Sequence, residues 1–219
     1  MGLKILSEYK RRKRAKQFST SDTYWETRYA KGGDSGTGSY GRLSEFKAEF
    51  LNAFVESNAV KTVIEFGCGD GNQLSLAKYP QYIGLDVSRT IIQAIASRFQ
   101  DDETKSFFFI DTRAYVDHAG VFQADLSLSL DVVYHLVEDS IFEAYMNALF
   151  GAASRFVIVY SSNKDEQSAP HVRHREFTKW VEKNKKGWVL REMIPNRFPY
   201  DPASPHETSL ADFYLFERS

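Results

Sequence analysis

Apolar residues recur along this chain at two different periods, and the change from one to the other divides it. Over 42–57 the positions Leu43, Phe46, Phe50, Leu51, Phe54 and Val55 fall at helical spacing, so a helix is expected there. Another is expected to start at Ser21 or Asp22, either of which can cap it, with Trp25 and Tyr29 one turn apart. Between them lies 31–41, with glycine at 32, 33, 36, 38 and 41 and no aliphatic residue, which reads as a mobile loop. From residue 61 short apolar runs alternate with amphipathic ones. Strands are expected at 62–66, 81–85, 106–110, 125–130 and 156–161, and helices near 71–78, 89–99, 138–150 and 173–184. That alternation implies a parallel α/β sheet with right-handed crossovers. After Gly187 the order breaks. Trp188–Ile194 and 213–217 read as two strands joined by a proline-rich connection without helical pattern, and these should pair antiparallel.

Composition narrows the class. A chain of 219 residues can bury one good core. The net charge of −1 lacks the basic excess of many nucleic-acid binders, so nucleic acid is a disfavoured partner. One local exception is a basic helix expected over 4–17, with an unbroken positive run at 10–14. It is either a solvated face or an anchor for a phosphate-bearing or acidic partner. Cys68 is the single cysteine, which rules out an intramolecular disulfide and fits a reducing cytoplasm. No apolar stretch approaches the roughly 20 residues of a membrane span, and 1–17 is not followed by the apolar core of a secretory signal. These features describe a soluble cytoplasmic enzyme-sized domain.

The chemistry concentrates at 63–72, Val-Ile-Glu-Phe-Gly-Cys-Gly-Asp-Gly-Asn: an apolar strand ending in an acid, then a glycine turn. Gly67, Gly69 and Gly71 let the backbone turn tightly and approach a ligand where a Cβ would collide. A dinucleotide fingerprint wants Gly-x-Gly-x-x-Gly, and a P-loop wants Lys then Ser or Thr after its last glycine. Here Asn72 and Gln73 follow, and Glu65 would repel a pyrophosphate. An acid beside a glycine turn suits a ligand with a cationic end. Further acids close the next strands: Asp86 the second, Asp111 the third, and Asp131 after Leu130 the fourth. In an open α/β sheet those ends form the ligand crevice. A lone Asp at a strand end is ordinarily a cap or turn residue; four in register with a glycine turn make a site.

The turn resembles motif I, Glu/Asp-x-Gly-x-Gly-x-Gly, of the class I S-adenosylmethionine-dependent methyltransferases. The resemblance covers roughly 60–160 by motif and most of the rest by topology. It implies a Rossmann-like seven-stranded, mostly parallel sheet with an antiparallel last strand, helices on both faces and an N-terminal helical cap. The cap and glycine-rich lid would occupy 1–58 and the cofactor-binding domain 59–219, in one globular unit. S-adenosyl-L-methionine is then the cofactor and S-adenosyl-L-homocysteine the product. Glu65, Gly67, Cys68 and Gly69 would face the methionine end, and Asp86 the ribose hydroxyls. Asp111 and Thr112 would meet the adenine amino group, with Val87 and Ile110 on the adenine faces and Leu130 and Asp131 beside the methyl. Cys68 itself reads as a small turn residue rather than a nucleophile, since neighbouring acids raise a thiol pKa.

The acceptor side follows the fourth strand, in Asp131-Val-Val-Tyr134-His135. The Asn/Asp-Pro-Pro-Tyr/Phe motif of many amino-group methyltransferases is absent. The Glu-x-x-Glu-His metal motif of some quinone and small-RNA enzymes is only partly matched, with Tyr134 at the second Glu. Asp131 and His135 keep a spacing that can share a metal on a helix, yet no metal is assigned. His135 is the general-base candidate through its ordinary pKa near 6.5, or else packs under the pocket. Asp131 can orient it, and Tyr134 can line the pocket. A dense donor cluster, His171, Arg173, His174 and Arg175, either holds an anionic or sugar-like acceptor or packs on acidic neighbours at a helix start. Tyr40 lies in the 32–41 loop and Arg42 follows it; the loop is either a lid over the acceptor or an inert linker. The expected function is methyl transfer to a small-molecule or glycan-type acceptor at oxygen. The alternatives are a methyltransferase for RNA ends or protein, and a non-catalytic cofactor-binding regulator.

Overall fold

The computed structural model describes residues 19–219; the basic helix expected over 4–17 lies outside the described residues. Seven strands form one sheet, and two more form a hairpin beside it. The sheet strands are β1 (Thr62–Phe66), β2 (Gln81–Asp86), β3 (Lys105–Phe109), β4 (Ala124–Leu130), β5 (Ala153–Ser161), β8 (Trp188–Ile194) and β9 (Asp212–Arg218), in the order β3-β2-β1-β4-β5-β9-β8. All neighbours from β3 to β5 are parallel, and β9 runs antiparallel to both β5 and β8. The sheet therefore has the expected Rossmann-like form, with its last strand reversed. Chain order reverses between β1 and β4, which places the ligand crevice at their carboxyl ends.

Helices α1 (Ser21–Ala30), α2 (Gly41–Ser57), α3 (Arg89–Arg98), α4 (Asp139–Gly151) and α5 (Phe177–Asn184) surround the sheet. The apolar stripe of α2 puts Phe46, Leu51, Phe54 and Val55 into one cluster with Val63, Leu126, Leu128 and Phe213 of the sheet. On the opposite face Phe142, Met146 and Leu149 of α4 and Phe177 and Val181 of α5 pack on Ile64, Val157 and Phe216. Among the described residues no helix is long and apolar enough to cross a membrane.

Three expectations need correcting. The helix near 71–78 is a single 3-10 turn, Leu74–Leu76. Asn52 of α2 ties the chain down beyond it, donating to the Leu76 carbonyl and accepting from the Lys78 N–H; Pro80 then disfavours helix at the residue before it. The helix of 173–184 is shortened to α5, because 166–174 forms the hairpin β6 (Glu166–Ala169) and β7 (Val172–His174) around Pro170. Helix α1 is capped by Thr20, whose hydroxyl accepts from the Thr23 N–H, rather than by Ser21 or Asp22. Ser21 instead donates to Glu138 and to the His135 carbonyl, fastening α1 over the end of β4.

Candidate active site

One cavity lies at the carboxyl ends of β1 to β4, roofed by α1 and the 31–40 loop, with about 1180 Å³ of empty space, mouth included. All ten residues expected at the cofactor line it: Glu65, Gly67, Cys68, Gly69 and Asp86 on the β1–β2 side, and Val87, Asp111, Thr112, Leu130 and Asp131 around them. Ile110 lines it as well.

Backbone geometry makes the floor. Gly67, Gly69 and Gly71 have φ of +80°, +59° and +75°, the region that L side chains disfavour. A Cβ on Gly67 would lie 2.5 Å from a methyl of Val132, and one on Gly69 would lie 2.4 Å from the Ser35 hydroxyl. Asp86 braces the turn from β2 by accepting from the Gly69 N–H at 3.1 Å, and it accepts from the Ser88 N–H at 2.9 Å. Burial pushes the Asp86 carboxyl up to about 6. Burial also pushes Glu65 up to about 7, against the hydrogen bond from Tyr82 at 2.7 Å and the nearby Lys47 charge. Buried Cys68 is shifted upward by burial, then by Asp86 and Glu65, which leaves it no nucleophile.

Beside the turn, Gln73 donates through Nε2 to the Ser44 carbonyl, while its buried Oε1 has no partner. A buried acceptor left unpaired on a cavity wall asks for a donor from a ligand. Together with two buried acids, it fits a cofactor carrying an ammonium and a sulfonium. At the other end Arg113 donates to Asp111 at 3.1 Å and to Asp22 of α1 at 2.8 Å, closing the roof over the expected adenine position. The Arg113 N–H and guanidinium hold the Asp111 carboxyl below its ordinary value.

On the acceptor side, Asp131 ends β4 in a left-handed conformation, φ +61°. Its Oδ1 accepts from the Tyr134 hydroxyl at 2.8 Å and its Oδ2 from Lys47 Nζ at 2.6 Å. Tyr134 is thus held behind Asp131 and is not on the cavity wall, whereas His135 is. His135 Nδ1 lies 3.0 Å from the His171 carbonyl. A carbonyl only accepts, so Nδ1 carries the proton and Nε2 keeps the lone pair. That carbonyl, not Asp131, orients the ring, and the edge-on indole of Trp25 at 5.0 Å supports it. Burial pulls His135 down to about 4. The ring is neutral at physiological pH and a weaker base than its ordinary pKa suggests.

The donor cluster does not face the cavity. Arg175, buried, donates to the carbonyls of Leu136 and Val137 and to Asp139. Arg173 donates to the Val137 carbonyl and pairs with Asp139. His174 sits between the hydroxyls of Ser162 and Ser168, and His171 stacks on Tyr24 at 4.5 Å. Because 166–174 is a hairpin, the two arginines fasten it to the segment before α4, while His171 meets the site through its carbonyl on His135 Nδ1 and its ring, stacked 6.0 Å from the His135 ring. Arg42 is engaged with Glu207, and Tyr40 donates to Asp70. Both line a separate small pocket with His206.

The 31–40 loop is latched where a mobile loop was expected. Ser35 and Asp70 exchange hydrogen bonds at 2.7 and 2.9 Å, and Asn72 donates to the Ser39 carbonyl at 2.7 Å. Lys47, Gln73 and the Asp22–Arg113 bridge are the site features that sequence reasoning missed. Lys47 alone left a signal, as a charge on the apolar stripe of a helix.

No protein-family model matches the sequence, and no curated protein matches it. Solved structures do. The methyltransferase domain of a bacterial Hen1, CtHen1-CN, is 25% identical with a TM-score of 0.62, over 80% of this chain and 100% of that one. Magnesium protoporphyrin IX methyltransferase of Synechocystis PCC 6803, with S-adenosylhomocysteine bound, is 18% identical with a TM-score of 0.59, over 81% and 85% of the two chains. The N-methyltransferase NodS of Bradyrhizobium japonicum WM9, also with S-adenosylhomocysteine, is 15% identical with a TM-score of 0.62, over 80% and 87%. The chain has the class I S-adenosylmethionine-dependent methyltransferase fold.

Proposed function

We propose that this protein is an S-adenosylmethionine-dependent methyltransferase acting on a hydroxyl of a small-molecule or glycan-type acceptor. The observation that carries this is a single cavity shared by a cofactor floor and an oriented neutral base. The floor is the glycine turn with Asp86, Glu65 and the unpaired Gln73 Oε1; the base is His135, its lone pair on Nε2.

The cofactor supplies an activated methyl on a sulfonium; the protein positions it and manages one proton. Asp86 offers its remaining lone pairs to the ribose hydroxyls, and Glu65 and Gln73 accept from the ammonium. Val87 and Ile110 flank the adenine. His135 Nε2 takes the acceptor's proton as its oxygen attacks, and the Nδ1 bond to the His171 carbonyl keeps the ring from turning away. Trp25, Tyr29 and the latched loop keep bulk water from the transfer. With Arg173 and Arg175 both paired to Asp139 and to backbone carbonyls, the hairpin offers no ready guanidinium clamp for a carboxylate or phosphate, which favours an uncharged hydroxyl acceptor.

The test is to give the protein methyl-labelled cofactor and a fractionated extract of its source organism. Label is expected in small molecules or polysaccharide with wild type and not with His135→Ala. Label in RNA or protein would overturn the acceptor class. A calorimetric titration showing no S-adenosylmethionine binding would overturn the whole reading.

A further inference from the structure

Lys47 sits in the middle of α2, on the stripe that faces the sheet, and is only 1% exposed. Lysine is rarely buried so deeply without a task or a partner. Its partner is Asp131 Oδ2 at 2.6 Å, and the ammonium also lies 5.2 Å from the centre of the Tyr160 ring. The ion pair is not sealed inside the core, because both residues belong to the cavity wall, beside Leu130, Val132 and His135.

The pair is held from every side. Tyr134 donates to the other oxygen of Asp131, and the Asp131 N–H donates to the Tyr160 carbonyl. From above, Gly38 of the loop presses on the carboxylate so closely that a Cβ there would lie 2.8 Å from Oδ2. Each oxygen of Asp131 already accepts one hydrogen bond, which holds the carboxylate as the partner of Lys47 and Tyr134. The ammonium has three N–H donors, and its one hydrogen bond among the described residues uses one of them. A fixed cation with spare donors, on the same cavity wall as the oriented base, is an electrostatic stabiliser waiting for developing negative charge.

We propose that Lys47 is the acceptor-binding cation of this site, donating to the oxygen that receives the methyl, with Asp131 as the counter-ion that aims it. This rests on the methyltransferase reading above. The acceptor oxygen attacks the methyl carbon, the carbon–oxygen bond forms and the carbon–sulfur bond breaks with its electron pair going to sulfur. The hydroxyl proton passes to His135 Nε2 and then to water. Lys47 keeps its proton throughout and lowers the cost of negative charge on the oxygen while that proton leaves. The substrate class narrows to hydroxyls acidic enough to gain from such a cation, phenolic and enolic hydroxyls ahead of simple alcohols.

The test compares wild type with Lys47→Met, Lys47→Arg and the double variant Lys47→Met/Asp131→Asn, which leaves no unpaired buried charge and so guards against misfolding. Each is titrated calorimetrically with S-adenosylmethionine and assayed for label transfer into the extract fraction that wild type labels. Cofactor affinity within about threefold of wild type in Lys47→Met and Lys47→Arg, with transfer reduced at least 100-fold in both Met variants and partly restored in Lys47→Arg, is the expected result. Added ethylammonium should also restore transfer to Lys47→Ala, which a packing role would not allow. Met variants that transfer normally overturn the proposal and leave the methyltransferase reading intact. Loss of cofactor binding in Lys47→Met also overturns it, since Lys47 would then belong to the cofactor floor. A wild type that binds no cofactor defeats the underlying reading instead.

Discussion

The two halves of the cavity are built by different means. The cofactor half is local: the glycine turn, Glu65, Asp86 and Asp111 lie on successive strand ends, each placed by the backbone of its own strand. The acceptor half is assembled across the chain, with Lys47 reaching Asp131 from 84 residues away, Ser21 reaching Glu138 from 117 and the His171 carbonyl reaching His135 from 36. A floor made of backbone can hold the same ligand in many proteins. A wall made of distant side chains can change its acceptor without disturbing that floor.

Substituting one residue in each half should separate them. His135→Ala removes the oriented lone pair and should lower turnover by roughly 10²- to 10⁴-fold, the ordinary worth of a positioned base. Cofactor affinity should stay within about threefold. Steady-state label transfer paired with calorimetry reads both, and a large loss of cofactor affinity would dissolve the division between the halves.

Asp86→Ala should do the reverse. It removes the brace on the Gly69 N–H and, on the proposed reading, the acceptor for the ribose. A loss of about 1–3 kcal/mol in cofactor binding follows for a buried hydrogen-bonded group, roughly a 5- to 150-fold weaker Kd. Turnover at saturating cofactor should change little. An unchanged Kd would show that Asp86 serves only the turn.

This contrast also explains what the sequence could disclose. The alternating strands, the reversed last strand and the acids at strand ends are encoded within a few residues of one another, and the structure has them close to where the pattern puts them. The helix expected at 71–78 failed because its competitor, the Asn52 side chain, lies on another helix. The cluster 171–175 was visible as chemistry but not as geometry. Only pairing of β6 with β7 decides that Arg173 and Arg175 turn toward Asp139. Lys47 was legible as an oddity on an apolar stripe, while its partner was not.

A smaller effect should appear on changing pH. Glu65 is raised by burial to about 7 from 4.5, and Asp86 to about 6 from 3.8. Both ionise as pH rises from 6 to 8, with Lys47 and Tyr82 the cation and donor facing Glu65. A cationic cofactor should therefore bind about tenfold more tightly at pH 8 than at pH 6, and S-adenosylhomocysteine, without the sulfonium charge, should gain less. Stability without cofactor should move the other way. A carboxyl raised in the folded state stabilises below its unfolded pKa and loses that contribution as pH rises through its folded value. His135, lowered to about 4, acts in the opposite sense until pH passes its ordinary 6.5, so the fall in stability is clearest above that value. Melting scans with and without cofactor should thus diverge as pH rises; parallel curves would refute the coupling.

The smallest effect is expected outside both halves. Arg42 was a candidate acceptor residue, yet its guanidinium lies over Phe198 at 4.4 Å and faces Glu207 at 3.5 Å, with 41% of the side chain exposed. Its Nε donates to the Glu207 carbonyl at 2.7 Å, so it links the start of α2 to the connection between β8 and β9. An exposed pair of this kind contributes about 0–1 kcal/mol. Arg42→Ala should lower the melting temperature by no more than a few degrees and leave both cofactor Kd and turnover within twofold. A tenfold rise in acceptor KM at unchanged kcat would instead extend the acceptor wall outward, from Lys47 and His135 along α2 to the pocket that Arg42 shares with Tyr40 and His206.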